Sequence, residues 1–268
     1  MKEFFKGLVK DRQSILKTAL FGAFILAETA IYFAFIAIQV PTHADPIYLK
    51  YAGILLCVAV SAASIYFFRT DGITMTVALV FTAVSDLFIL VMNKYYEAGV
   101  STFIVVQITH FVRIYMISGK KPYISIGIRL GVIIAALITF GVLGKLNALI
   151  GLVCIYFPML AGNVIDSAFL IKISKKYILY FMGLLFFLGC DIFVGLCEAG
   201  KIGLSIIPAN LDFFAHLMIW LCYLPAQTFI VLSVNNTQYK PFFLNGPLKS
   251  AAAAETVSTE GETKANEE

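Results

Sequence analysis

The stretch ITMTVALVFTAVSDLFILVM (Ile73 to Met92) is apolar apart from a few hydroxyl groups and one carboxyl group, that of Asp86. A helix needs about 20 such residues to cross the hydrocarbon of a membrane. The central FTAVSDLF (Phe81 to Phe88) has a near copy in FFLGCDIF (Phe186 to Phe193), where Asp191 corresponds to Asp86. A carboxylate inside a membrane helix is costly, so it normally faces the bundle interior and serves a function. The two segments therefore predict a paired-carboxylate site in a duplicated membrane protein.

The composition of the whole chain is that of a membrane protein. Of its 268 residues, 60% are hydrophobic and 13% charged, whereas soluble domains carry about 25% charged residues. Eight apolar runs are long enough to span a bilayer, at residues 16–39, 49–68, 73–92, 100–117, 123–143, 146–171, 177–197 and 211–234. The sequence predicts an all-α polytopic membrane protein with eight transmembrane helices in residues 1–244. Residues 245–268 are small, polar and acidic, which predicts a disordered cytoplasmic tail.

The basic residues are distributed unevenly over this topology. Fourteen lysines and arginines fall on the side of the two termini and four on the opposite side. Because cytoplasmic loops carry an excess of Lys and Arg, we expect both termini to be cytoplasmic, in a bacterial-type cell membrane. These charges indicate topology, so nucleic-acid binding is not expected. Arg113 and Arg129 lie inside helices, and we expect both to extend to the cytoplasmic surface.

The likeness between the two halves extends beyond the aspartates. VSAASIYFFR (Val60 to Arg69) aligns with IDSAFLIKIS (Ile165 to Ser174), and His110 aligns with His216, all at offsets of 105 to 106. Four helices return the chain to the side on which it began, so a duplication would give two parallel four-helix repeats. The alternative is chance similarity between apolar sequences.

Helical rise predicts that several polar side chains lie at a similar depth. Asp86 and Asp191 each lie 14 residues after the expected cytoplasmic start of a helix, or about 21 Å into a core of about 30 Å. Gln107 and His216, on descending helices, should reach about the same level. We therefore expect four polar groups from four helices to converge. The alternative for these residues, the two aspartates included, is a polar contact that holds helices together. This alternative fits Gln107 better than the aspartates, because a carboxylate is a costly choice for such a contact.

Two carboxyl groups in a cavity with little water do not both ionise readily, so a protonated acid would stand beside a carboxylate. This combination supplies a general acid and a general base to one substrate. The pattern predicts a catalytic role for Asp86 and Asp191 without naming the reaction.

Four segments resemble the YhhN family of integral-membrane lysoplasmalogenases. The sequences from Phe81 to Ile117 and LLFFLGCDIFVGL (Leu184 to Leu196) are similar to the two aspartate motifs of the family. YLPAQTFIVLS (Tyr223 to Ser233) is similar to its closing helix, and LKYAGILLC (Leu49 to Cys57) to the segment whose lysine opens the second span. The resemblance covers most of residues 15–234.

The resemblance implies an activity and the residues that carry it. Characterised members hydrolyse the vinyl-ether bond of lysoplasmalogens to a fatty aldehyde and glycerophosphoethanolamine or glycerophosphocholine. Asp86 and Asp191 would be the catalytic pair, and Lys50 would bind the substrate phosphate. The other substrate-binding residues implied are Gln107, His216, Tyr223 and Gln227. No cofactor or metal is implied, the expected partners are a lysolipid and the bilayer, and the oligomeric state stays open.

Two other functions remain open at this point. A zinc-dependent lipid hydrolase of the ceramidase type needs several metal ligands, yet only His110 and His216 of the three histidines lie within predicted spans. A proton-coupled transporter of a small solute could use the aspartates as proton carriers, with Pro158 and Pro225 kinking two helices. Aldehyde release from a lysoplasmalogen indicates the ether hydrolase, whereas solute flux without aldehyde indicates the transporter.

Overall fold

Eight long helices form the part of the chain that the computed structural model describes, namely residues 2–201, 212–235 and 239, with side chains from Gln13 to Glu198 in the first range. The helices are α1 (Lys2–Thr42), α2 (Ile47–Ser64), α3 (Arg69–Asp86), α4 (Tyr96–Ser118), α5 (Tyr123–Val142), α6 (Ala148–Ile171), α7 (Ile178–Lys201) and α8 (Asp212–Leu232). All eight contain a segment long and apolar enough to cross a membrane, and these residues include no strand. The predicted fold class is confirmed. The predicted tail, residues 245–268, lies outside the described residues.

The helices pack in an order that repeats between the two halves of the chain. In the first half α1 contacts α2, α2 contacts α3 and α3 contacts α4, and the second half has the same contacts among α5 to α8. Between the halves, α4 packs on α6 and α2 packs on α8, and α1 also contacts α8. If each helix is replaced by its counterpart in the other half, the contact of α4 with α6 becomes the contact of α8 with α2. This arrangement agrees with the expectation of two parallel four-helix repeats.

Aromatic side chains fill the interior between the two halves. Tyr180 and Phe187 of α7 are fully buried. The Phe187 ring lies 5.6 Å from the ring of Tyr223 on α8 and 5.8 Å from that of Phe103 on α4, measured between centroids. In contrast, α5 lies at the edge of the bundle, since Arg129 is the one buried residue of this fully described helix. The site therefore has to be built by the other helices.

Arg113 is buried in the bundle, so the expectation that it extends to the surface is wrong. Its Nε and Nη2 donate to the two carboxylate oxygens of Asp71 at 2.8 Å each, and its Nη1 donates to Oγ of Ser233 at 2.9 Å. The hydroxyl of Tyr239 also donates to Asp71, at 2.5 Å. Burial and the Asp71 carboxylate raise the pKa of Tyr239, which keeps this hydroxyl protonated as a donor. One ion pair thus joins α3, α4 and the segment after α8.

Arg129 is also buried, which again corrects the expectation of a surface position. Its Nη2 donates to Oδ2 of Asp166 at 2.8 Å and to Oδ1 of Asn163 at 3.0 Å. Nδ2 of Asn163 in turn donates to Oε1 of Gln107 at 3.0 Å. We call these four residues the α4–α6 polar chain. Helices in lipid gain little from burying apolar surface against one another. The hydrogen bonds of the α4–α6 polar chain therefore hold α5 to the bundle.

The turn between α2 and α3 brings their backbones into contact at Gly72. A Cβ atom at this position would lie 2.8 Å from Cα of Ile65, which is closer than any relaxed contact. We expect Gly72→Ala to lower the free energy of unfolding by about 1–3 kcal/mol, because the backbone must shift to admit the methyl group. Unfolding by sodium dodecyl sulfate in mixed micelles measures this change.

Gly127→Ala is the matched control in α5. A Cβ atom there meets no other atom within 4 Å. Alanine has a higher helix propensity than glycine, so stability should stay the same or rise by up to about 1 kcal/mol. A similar loss of stability in both variants would contradict the close approach at Gly72.

Candidate active site

Asp86 is the last residue of α3 and is followed at once by a π-helical turn, Leu87–Val91. Single π-helical turns within helices are frequent at functional sites. The Asp86 side chain is buried, and the hydroxyl of Tyr223 on α8 donates to its Oδ2 at 2.7 Å. The preceding Ser85 donates through Oγ to the carbonyl of Gly99 at 2.6 Å, which fastens this end of α3 to α4. Asp86 is therefore held between three helices.

Asp191 lies on α7 and is held by a tyrosine of a neighbouring helix. The hydroxyl of Tyr156, on α6, donates a hydrogen bond to Oδ2 of Asp191. The Tyr156 ring packs on Phe103 of α4, with 5.8 Å between centroids. Through Phe103 and Phe187, Tyr156 belongs to the same aromatic cluster as Tyr223.

The tyrosine beside Asp191 has a counterpart beside Asp86. Tyr51 of α2 stands 105 positions before Tyr156, which is the offset between the two aspartates. The Tyr51 hydroxyl donates at 3.2 Å to the carbonyl of Ala83, which lies three residues before Asp86 on α3. Sequence reasoning missed both tyrosines. The repeat offset that relates the aspartates would have identified them.

Lys50 lies in an aromatic enclosure next to these residues. Its Nζ is 2.6 Å from Oδ1 of Asp45 and 4.6 Å from the ring centroid of Trp220. The Trp220 ring lies 5.4 Å from that of Tyr223, so a single ring separates the ammonium group from the tyrosine that binds Asp86. The Lys50 side chain is fully buried, whereas that of Asp45 is 48% exposed. Lys50 therefore lies in the same region as Tyr223 and Asp86, and Trp220 is a neighbour that the sequence did not indicate.

The two predicted glutamines are both buried but differ in their neighbours. Gln227 lies one helical turn after Tyr223 on α8, so both side chains are on the same face. Gln107 belongs to the α4–α6 polar chain, and its hydrogen bonds within the described part of the chain do not include either aspartate. In both glutamines Nε2 has no hydrogen-bond partner among the described residues. An unsatisfied buried donor costs about 1–3 kcal/mol, so an oxygen atom of a substrate or of water would be stabilising at either position.

The structure does not bring His216 to the aspartates. It lies in the first turn of α8 with an exposed side chain. Its Nδ1 is 2.9 Å from the carbonyl oxygen of Asp212 and 3.9 Å from Sγ of Cys197. The imidazole thus contacts its own helix and Cys197 of α7. The depth of a residue in the membrane does not determine which way its side chain faces.

Among the residues that the structure describes, Cys197, Asp212 and His216 form a cluster that could hold a metal ion, since their potential ligand atoms lie within 4.8 Å of one another. Cys197 follows Asp191 by six residues on α7, which is about 9 Å along the helix axis. This partly exposed cluster therefore lies apart from the Asp191 carboxyl group along α7. The cluster does not provide the three-histidine zinc site of the ceramidase alternative.

Comparison with known proteins agrees with the resemblance seen in the sequence. The profile described as the YhhN family matches residues 46–234, which is more than half of the chain. Both aspartates, Tyr156 and Tyr223 lie within this range, whereas α1 precedes it. No curated protein and no solved structure matches the chain.

Proposed function

Because this chain belongs to the YhhN family, we propose that it is a membrane-embedded hydrolase of the vinyl-ether bond in lysoplasmalogen-like lysolipids. The products are a fatty aldehyde and a glycerophospho-alcohol. One observation carries the proposal beyond family membership. Asp86 and Asp191 each accept a hydrogen bond from a buried tyrosine, and the rings of these two tyrosines belong to one aromatic cluster through Phe187 and Phe103. An acid and a base acting on one substrate require such an arrangement.

In the first step, Asp86 donates a proton to the vinyl-ether carbon that is β to the oxygen. The π electrons form the new C–H bond, and the positive charge is shared between the α carbon and the ether oxygen. Asp86 is assigned as the acid because it is the more deeply buried of the two aspartates. Tyr223 donates to its Oδ2, which leaves Oδ1 to carry the acidic proton. The ionised Asp191 stabilises the cation that develops beside it.

In the second step, water attacks the α carbon and Asp191 accepts the proton that the water loses. The resulting hemiacetal returns its hydroxyl proton to Asp86 as the bond between carbon and the ether oxygen breaks. Asp191 then gives its proton to the departing glycerol oxygen. One water is consumed, both aspartates regain their starting states, and the two roles exchange between the steps as general acid–base catalysis requires.

Lys50 is assigned to bind the substrate phosphate. To do so, it must give up its ion pair with Asp45 and form one with the phosphate. We expect Lys50→Gln to raise KM by about 10- to 100-fold with kcat nearly unchanged, because a charged hydrogen bond contributes about 1.5–3 kcal/mol and the phosphate is remote from the bond that breaks. Initial rates of aldehyde release over a range of lipid concentrations measure both constants. Lys94→Gln, at an exposed loop position, is the control. A fall in kcat with KM unchanged would argue against phosphate binding by Lys50.

The proposed activity is tested with the purified full chain in nanodiscs. A 1-alkenyl lysolipid should release aldehyde, detected by NADH oxidation through a coupled reductase, whereas the 1-alkyl ether and the 1-acyl ester should not. Only the vinyl ether forms an oxocarbenium ion by protonation at carbon. The rate should be unchanged by chelators, because the proposed steps use only carboxyl groups and water. A protein that yields no aldehyde but mediates solute flux in proteoliposomes would be a transporter.

A further inference from the structure

A cavity of about 570 Å³ opens between helices on the side of the two chain termini. Its apolar lining includes Phe21, Ile25, Leu179 and Leu232, from α1, α7 and α8. Phe68, also in the lining, directly precedes α3, whereas Asp86 is the last residue of that helix. Eighteen residues of helix separate the two positions by about 27 Å. The cavity is therefore distinct from the candidate active site.

Two lysines that are distant in sequence meet at this cavity. Lys17 comes from α1 and Lys176 from the short turn before α7, and both line the space. Nζ of Lys17 lies 5.2 Å from the ring centroid of Phe68, and Nζ of Lys176 lies 5.0 Å from that of Tyr177. Neither lysine forms an ion pair with a carboxylate in the ranges that the structure describes. The cavity thus combines two uncompensated positive charges with apolar walls.

We propose that this cavity binds a bilayer phospholipid with a net negative charge, its phosphate between Lys17 and Lys176 and one acyl chain along the apolar lining. The volume lies within the range of about 300–1,000 Å³ that is typical of small-molecule sites. Basic pockets between transmembrane helices are recognised sites for anionic lipid head groups. A free phosphate ion would use the lysines but leave the apolar lining unfilled, so a lipid fits the whole surface better. A zwitterionic lipid would bring its own cation close to the lysines.

The bound lipid would also act as a structural link for α1. This helix precedes the range matched by the family, and only 17% of its membrane-spanning window is buried in the protein. Lys17, Phe21 and Ile25 of α1 line the same cavity as Lys176 and Leu179. A lipid that contacts both walls adds apolar and charged contacts between α1 and the rest of the bundle. We therefore expect anionic lipid to raise the thermal stability of the protein.

The proposal is tested by adding phosphatidylglycerol, phosphatidylcholine or glycerol phosphate to the full chain in detergent. Native mass spectrometry counts bound lipids, and the shift in melting temperature gives the affinity. We expect phosphatidylglycerol to bind and to stabilise, and the other two probes to do so weakly. Lys17→Gln and Lys176→Gln should each lower the affinity by about fivefold, the effect of one basic group near an anionic lipid surface.

Two further variants separate a defined site from general charge attraction. Lys120→Gln with Lys121→Gln removes two exposed positive charges outside the cavity and should leave lipid binding unchanged. Ile25→Trp fills the cavity from a residue that is 43% exposed, and it should abolish lipid binding while the lysines remain. The proposal is overturned by equal binding of phosphatidylcholine, by equal stabilisation with glycerol phosphate, or by an equal loss in the Lys120 and Lys121 variant. None of these readouts depends on the hydrolase activity.

Discussion

Replacing Asp86 by asparagine should lower kcat for aldehyde release from a lysoplasmalogen by about 10³-fold or more. The amide cannot donate a proton to carbon, and general acid catalysis alone contributes about 10²- to 10⁴-fold. Asparagine is close in size to aspartate, and its carbonyl oxygen can still accept the hydrogen bond from Tyr223. The helices should therefore stay in place. Initial rates at saturating lipid, with a melting curve for each protein, measure the effect.

Asp191→Asn should cause a loss of similar size, because the cation would lose its counter-charge and the water its base. The double variant should be little worse than either single variant, since residues that act as one unit are not additive. Asp212→Asn is the control, because Asp212 is an exposed aspartate near the same membrane face and has no assigned role. If folded Asp86→Asn keeps more than a tenth of the activity, the acid lies elsewhere.

The number and type of the helices followed from the sequence because both depend on local composition. An apolar run of sufficient length has few alternatives to a membrane-spanning helix. The aspartates were also predictable as inward-facing, because a carboxylate facing lipid would be too costly. Tyr223 came from the resemblance to the family, and the structure places it against Asp86. Tyr156 could have been found from the repeat alone.

The partners of the buried arginines could not be predicted, because helical rise gives the depth of a residue and not the direction it faces. Arg113 was expected at the surface, yet it faces Asp71 on α3. For His216 the error runs in the other direction. It was expected in the interior beside the aspartates, yet it interacts with Asp212 in its own helix. Both results depend on how each helix is rotated about its axis. That rotation is set by the packing of the whole bundle.

The ion pair between Arg113 and Asp71 gives the largest expected effect on stability. We expect Arg113→Leu to lower the free energy of unfolding by about 3–5 kcal/mol, because the carboxylate of Asp71 would remain buried without its counter-charge. Arg113 also donates to Oγ and to the main-chain carbonyl of Ser233, at 2.9 and 3.1 Å, and these bonds to the segment after α8 would be lost. Denaturation with sodium dodecyl sulfate in mixed micelles measures the change.

The double variant Asp71→Leu with Arg113→Leu distinguishes a buried charge from a loss of packing. With both charges absent, no ion is left unpaired, so the double variant should be more stable than Arg113→Leu alone. Asp71 accepts further hydrogen bonds from Asn235 and Tyr239, so the recovery should be partial. Arg69→Leu, at an exposed position in the first turn of α3, should change stability by no more than about 0.5 kcal/mol. A double variant less stable than Arg113→Leu would contradict the buried-charge explanation, and would mean that the hydrogen bonds of Asp71 with Asn235 and Tyr239 stabilise the protein more than an unpaired carboxylate destabilises it.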